Sequence, residues 1–321
     1  MKIRSLALAS LFVVAAVHAA LVSEKFTTNP DARGWQIFGD TNLFQWNPAN
    51  QNLAVTWDSA QTNSFFYHPL GAVYSKTNDF LITFDVRLND IAVGTTPGLP
   101  YTFEIAIGLI NTGIATSGNY LRGYGEFPNL VEFDYFPNDI NGYGATVSTL
   151  MISAQTNYSS GGFTDPLEMQ TNKLYHVVMI FTATNQVLHT TMTADGAAFG
   201  PVQNAFLGAG FDSFQVDAIA INSYNHAGQF PGYGGSVLAH GTVDNLAFAS
   251  PLPIEKIKTV TAGEIQFTSD TNWLYTLEQS GDFKNWTAAA PASLGNGTNL
   301  ILQATNLPAG KSLYRVRAEL P

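Results

Sequence analysis

Leu130-Val131-Glu132-Phe133-Asp134-Tyr135-Phe136 threads two acidic residues through an apolar run. In an extended chain successive side chains point to opposite faces, so Val131, Phe133 and Tyr135 share one face and Glu132 and Asp134 the other. Pro137 and Asn138 close the run. The pattern has no helical period and reads as a strand with one apolar and one polar face. The same signature recurs at Leu53–Trp57, Phe80–Leu88, Tyr101–Leu109, Leu174–Phe181, Val187–Met192, Phe214–Ile221 and Val243–Phe248. Each run is rich in β-branched or aromatic residues and is bounded by Gly, Pro, Asn or Asp. No stretch keeps a helical period through three turns. Many short strands separated by turn residues predict an all-β protein, an antiparallel two-sheet sandwich or barrel.

A Pro-rich break, Ser250-Pro-Leu-Pro253, interrupts the series. Beyond it the strand pattern restarts at Glu264–Phe267, Trp273–Glu278, Leu300–Gln303 and Ser312–Arg317. Residues 20–252 and 253–321 are therefore expected to form a large and a small β-domain. The first 19 residues read as an export signal. Lys2 and Arg4 give a positive start, Leu6 to Ala16 a short apolar segment, and Val17-His18-Ala19 places small residues for cleavage after Ala19. That apolar segment is too short for a stable bilayer anchor, so no membrane insertion is expected after cleavage. The protein is expected outside the cell, secreted or at the surface.

Charged residues make up 12% of the chain, about half the usual ~25%. A surface of Asn, Thr, Ser, Gln and Gly fits an extracellular β-protein. The absence of cysteine excludes disulfides and thiolate metal sites. The formal charge of −10 becomes −12 once Lys2 and Arg4 are removed. An acidic chain without basic clusters argues against nucleic acid and anionic membranes, and is compatible with calcium and neutral sugars.

Three features carry a resemblance to the concanavalin A-like jelly roll, the superfamily of legume lectins, laminin-G-like domains and several glycoside hydrolases. They are the opening Phe26 to Trp35, the central Leu130 to Asn138, and the closing Gly241-Thr-Val-Asp-Asn-Leu246. The resemblance covers residues 24 to 250. Residues from about 255 resemble the small fibronectin-III-like modules that end secreted bacterial proteins, through Tyr275-Thr-Leu-Glu278, Asn285-Trp286 and Tyr314-Arg-Val-Arg317.

In legume lectins a run like the central one holds calcium and a second metal. This chain matches at Glu132, Asp134, Phe136 (through its carbonyl) and Asn138, then departs. Tyr143 and Ser148 stand where the lectin pattern has its next aspartate and its histidine. Asp139 is offset from the missing aspartate. The resemblance thus implies at most a calcium site from Asp134, the Phe136 carbonyl, Asn138 and Asp139, an oxygen set calcium accepts. The competing reading is a solvated polar face on a half-buried strand. The jelly-roll glucanases resemble the same run with a Glu-x-Asp-x-x-Glu motif. Here Pro137, which carries no proton to donate, takes the place of the final acid. Glu104 and Glu126 have no position that sequence alone assigns. Nucleophile-elbow, zinc-protease and phosphate-loop motifs are absent.

Three Gly-Tyr-Gly triplets centre on Tyr124, Tyr143 and Tyr233, with Tyr120, Tyr224, Asn225 and His226 close to two of them. Glycine on both sides leaves a ring uncrowded, and a tyrosine face can stack on a sugar while its hydroxyl bonds the sugar's rim. The alternative is that these tyrosines pack the rims of Gly-rich turns. His176 and His189 read as core or surface histidines. Three functions stand on this reading: a non-catalytic module binding a glycan or surface polymer, a structural or adhesive surface protein, and a jelly-roll glycoside hydrolase or lyase.

Overall fold

The computed structural model describes residues 22–102, 104–118, 120, 122, 128–138, 144–228, 234–250, 258–261, 263–269, 273–296, 298–305 and 313–319, with 258–261 and 319 as backbone only. The export signal lies outside the described residues, as do Tyr124, Tyr143, Tyr233 and Asp139.

The described strands fall in two compact units, the first ending at Phe248. In chain order the first contains β1 (Val22–Glu24), β2 (Gln36–Phe38), β3 (Phe44–Asn47), β4 (Asn52–Asp58), β5 (Ser64–Ser75), β6 (Phe80–Val93), β7 (Ile105–Ile110), β8 (Leu130–Phe136), β9 (Thr146–Ile152), β10 (Tyr158–Ser160), β11 (Tyr175–Thr182), β12 (Val187–Ala194), β13 (Ala197–Phe199), β14 (Ala205–Phe206), β15 (Gln215–Ser223) and β16 (Val237–Ala249). One sheet runs β10-β9-β8-β7-β15-β5-β2. The other runs β13-β12-β11-β6-β16-β4-β3, with β1 added to β16 and β14 to β12. Pairing is antiparallel in both. This is the all-β jelly-roll sandwich expected of the sequence.

The core lies between the sheets and is built by alternation. On β6, Phe80, Ile82, Phe84, Val86 and Leu88 are buried while Asp85 and Arg87 point outward. Phe84 meets Phe133 of the facing sheet edge-on, with ring centroids 5.4 Å apart, and Tyr74 meets Phe248 at 4.8 Å. Each such side chain contributes roughly 1.5–3 kcal/mol by burial. The nine-stranded sheet therefore has one wet face. The seven-stranded sheet differs: β7, β9 and nearly all of β8 are buried on both faces. The expected half-buried strand with a solvated polar face is thus corrected. The segment joining β7 to β8 brings Tyr120 and Arg122, both buried, to the acidic side chains of that outer face. At the centre of β7, Gly108 lies opposite Glu132. A Cβ there would come within 2.1 Å of the Val131 carbonyl oxygen, so no side chain fits.

Besides the short strands, two long ones escaped the sequence pattern. β5 contains Pro69, which pairs beside a break in register between Val216 and Ala218, where a missing N–H is tolerated. β9 is rich in Ser and Thr, with no apolar alternation to mark it.

The second unit holds β17 (Lys258–Thr261), β18 (Glu264–Thr268), β19 (Leu274–Ser280), β20 (Thr287–Ala288), β21 (Ser293–Leu294), β22 (Asn299–Gln303) and β23 (Leu313–Glu319). They form a three-stranded sheet, β17-β18-β22, and a four-stranded one in which β19 pairs with β20, β21 and β23. Tyr275, Leu277, Tyr314 and Val316 are buried. On the other side of the β19–β23 pair, Glu278 accepts from Arg315 at 2.6 Å and from Arg317 at 2.9 Å. The Arg315 guanidinium also lies 4.4 Å from the centre of the Trp286 ring.

Candidate functional site

Strand alternation places Glu132 and Asp134 on the outer face of the seven-stranded sheet, as the sequence predicted. Both are fully buried there. Arg122 occupies the space between them. Its Nε donates to Glu132 Oε2 at 3.2 Å and its Nη2 to Asp134 Oδ2 at 3.2 Å. A third carboxylate, Glu104, lies just before β7, with Oε1 3.5 Å from the same Nε. Asn222 of β15 donates to Glu132 Oε1 at 2.7 Å. The Tyr224 hydroxyl donates to that same oxygen, and the Tyr224 ring lies 5.5 Å from the guanidinium carbon of Arg122. Tyr120 packs beside Tyr224, and Phe65 touches both rings.

The electrostatics follow from one cation facing three carboxyl groups in a buried place. Burial raises the Glu104 pKa to about 7; Arg122 pulls it down and Glu132 pushes it up. Burial, then Glu132, likewise holds Asp134 well above the usual carboxylate range. Burial opposes the charge on Arg122, but Glu104, Glu132 and Asp134 outweigh it and raise its pKa further. Burial and the Glu132 charge keep Tyr224 protonated. Asp134 Oδ1 and the Ser148 hydroxyl, on residues that face each other across β8 and β9, make no hydrogen bond among the described residues.

The sequence-predicted residues are distributed unevenly. Glu132, Asp134 and Tyr224 come together. Tyr224 is corrected from a loop-rim tyrosine to a buried one, because its position two residues after Asn222 carries it onto the sheet face. His226 begins a short turn and is half-buried, its N–H donating to the Ser59 carbonyl at 2.9 Å. Phe136 and Asn138 are half-buried beyond the acidic pair, and the Asn138 N–H donates to Thr102 Oγ1 at 3.2 Å. Of the carboxylates expected to bind calcium, Glu132 and Asp134 are paired with Arg122, and Asp139 lies outside the described residues. Among the described residues no group of three or more His, Asp or Glu is arranged to hold a metal ion.

Sequence reasoning missed Arg122, Asn222 and the place of Glu104. It also missed two exposed tyrosines. Tyr101, 40% exposed, precedes Glu104 by three residues. Its carbonyl accepts from the Ser236 N–H at 2.8 Å. The Tyr101–Thr102 pair therefore accepts from Asn138 through the Thr102 hydroxyl and from Ser236 through the Tyr101 carbonyl. Tyr158, on edge strand β10, exposes 50% of its surface. Burial, together with Asp134 and Glu104, raises its pKa against the pull of Arg122.

No family model and no curated protein matches this chain. Among solved structures, peanut lectin in complex with a nine-residue peptide is 12% identical, with a TM-score of 0.42 over 70% of this chain and 97% of the lectin. The lectin UEA-II complexed with galactose is also 12% identical, with a TM-score of 0.42 over 71% of this chain and 96% of that one. A PL-14 alginate lyase from Aplysia kurodai is 11% identical, with a TM-score of 0.45 over 74% and 97% of the two chains. These likenesses are too distant to bear on activity, and the fold here rests on the strand pairing itself.

Proposed function

We propose that this chain is an exported, non-catalytic binding protein whose ligand is a glycan or cell-surface polymer, and that its small second unit is a fibronectin-III-like module. The observation that carries the reading is the exposed Tyr101. It stands beside Thr102 and Ser236 with much of its ring open, so that its aromatic face and hydroxyl can meet a sugar ring. The carboxylates do not support hydrolysis. Glycosidic cleavage needs two carboxyl groups open to the scissile bond and to water, whereas Glu132 and Asp134 are sealed and bridged by Arg122.

A glycan array probed with the chain beginning at Ala20 tests the reading. Binding should appear on at least one polysaccharide and no reducing ends should accumulate. Tyr101→Ala should weaken retention without lowering the melting temperature. Release of reducing ends by the wild type but not by Glu132→Gln would sink the non-catalytic reading. Export is tested separately: an intact Met1 on protein recovered outside the cell would refute cleavage after Ala19.

A further inference from the structure

The distribution of charge bears on which glycan this face takes. Residues 20–250 carry 18 of the 24 acidic residues but only six of the 14 basic ones. Residues 251–321 hold six of each, so the whole net charge of the mature chain resides in the first unit.

The six cations are nearly all committed. Arg33 bonds Glu24 through Nε at 2.9 Å and through Nη2 at 2.5 Å. Lys76 Nζ donates to the Phe211 carbonyl at 2.7 Å. Lys173 pairs with Asp195 at 2.8 Å. Arg122 is buried among its three carboxyl groups. Lys25 and Arg87 are exposed, but Lys25 follows β1 and Arg87 points outward from β6, both in the other sheet. Among the described residues, Arg122 is therefore the cation at the outer face of the seven-stranded sheet, and it has no charge to spare.

We infer that the ligand of this face is an uncharged polysaccharide, recognised by tyrosine faces and neutral hydrogen-bonding groups, and that polyanions are excluded. The inference rests on the glycan-binding reading above. A uronate or sulfate polymer would have to approach a strongly acidic body without a guanidinium or ammonium to receive it, and like charges repel over the Debye length of roughly 8–10 Å at ordinary ionic strength. A neutral sugar meets no such barrier. Tyr158 offers a half-exposed ring at the edge of the same face.

Affinity electrophoresis of the chain beginning at Ala20 tests this, in gels containing a neutral β-glucan, a neutral galactan, alginate or polygalacturonate, at low and high salt and with or without a chelator. Retardation should occur with a neutral polymer, stay within about twofold from about 0.02 to about 0.5 M salt, ignore the chelator, and be absent with both polyanions. Tyr158→Ala should abolish most of it at unchanged melting temperature. Retardation by alginate or polygalacturonate, whether salt-sensitive or calcium-dependent, overturns the inference while leaving glycan binding intact. Undiminished binding by Tyr158→Ala places the ligand elsewhere and overturns it also. No retardation with any polymer removes it together with the reading beneath it.

Discussion

Glu104→Gln should stabilise the protein at alkaline pH and leave it unchanged at acid pH. Glu104 is buried, with its pKa raised from 4.5 to about 7, chiefly by burial. Between those values the folded chain holds a proton that the unfolded chain has lost. Stability must therefore fall as pH rises through this window and level off above it. The full span corresponds to roughly 3 kcal/mol, at about 1.4 kcal/mol for each pH unit. Structural relaxation and sharing of protons with Asp134 reduce this, so about 1.5–3 kcal/mol is the expected loss. Glutamine keeps the shape of the protonated acid and never ionises. At about pH 5 the variant should match the wild type, and at about pH 8 it should gain that 1.5–3 kcal/mol. For a unit of this size the gain amounts to about 3–12 °C in melting temperature. Thermal and urea denaturation of both proteins at the two pH values measures it. Equal destabilisation at both pH values would show that attraction to Arg122 outweighs burial, and would refute the charge accounting of the cluster. A wild type whose stability is flat between the two would do the same.

Other outcomes follow from the same contacts. Arg122→Gln strips the counter-ion from three buried carboxyl groups and should cost about 3–5 kcal/mol in denaturant unfolding near neutral pH, less in acid, where the carboxyls protonate; an effect under ~1 kcal/mol would mean the ion pairs are not formed in solution. Calcium at millimolar concentration should not raise the melting temperature, because Glu132 and Asp134 are held by Arg122; a rise that Asp139→Ala abolishes would restore the calcium site. A chain ending at Ser250 should stay soluble and keep its melting transition, since the first unit carries its own core; aggregation of that shortened chain would show that the units depend on each other.

Much of the architecture was legible in local pattern. β8 runs from Leu130 to Phe136 as the alternation predicts, and β6 and β11 begin within a residue of their expected starts. These runs announce themselves because every second residue is large and apolar. β5 gives no such signal, since Pro69 and Gly71 break its middle and only the bulge opposite accommodates them. The site was legible in halves. Period two put Glu132 and Asp134 on one face, and the same arithmetic, run one residue past the end of β15, would have placed Asn222 and Tyr224 on one face. What alternation cannot supply is the pairing of β15 with β7 and of β7 with β8, which brings Asn222, Ala106 and Asp134 into one row. Glu132 and Asn222 are 90 residues apart in sequence. Nor does any period encode Arg122, a single basic residue in a glycine-rich segment.

That arginine decides what the carboxylates can be. Glu132 spends one oxygen on Arg122 and the other on Asn222 and Tyr224, so no oxygen remains free to attack a sugar or to coordinate an ion. Asp134 has one oxygen bonded to the same guanidinium, and burial favours its protonated form. A general acid would need a path to its substrate, and a nucleophile would need to be ionised and exposed. The cluster meets neither requirement. It does serve another end, fastening the β7–β8 segment to the sheet at Arg122 and β15 to β8 at Asn222. Under the glycan-binding proposal, recognition would fall to side chains outside the sealed patch. Tyr101 and Tyr158, rather than the acidic pair that first draws the eye in the sequence, are the described positions where substitution should separate binding from folding.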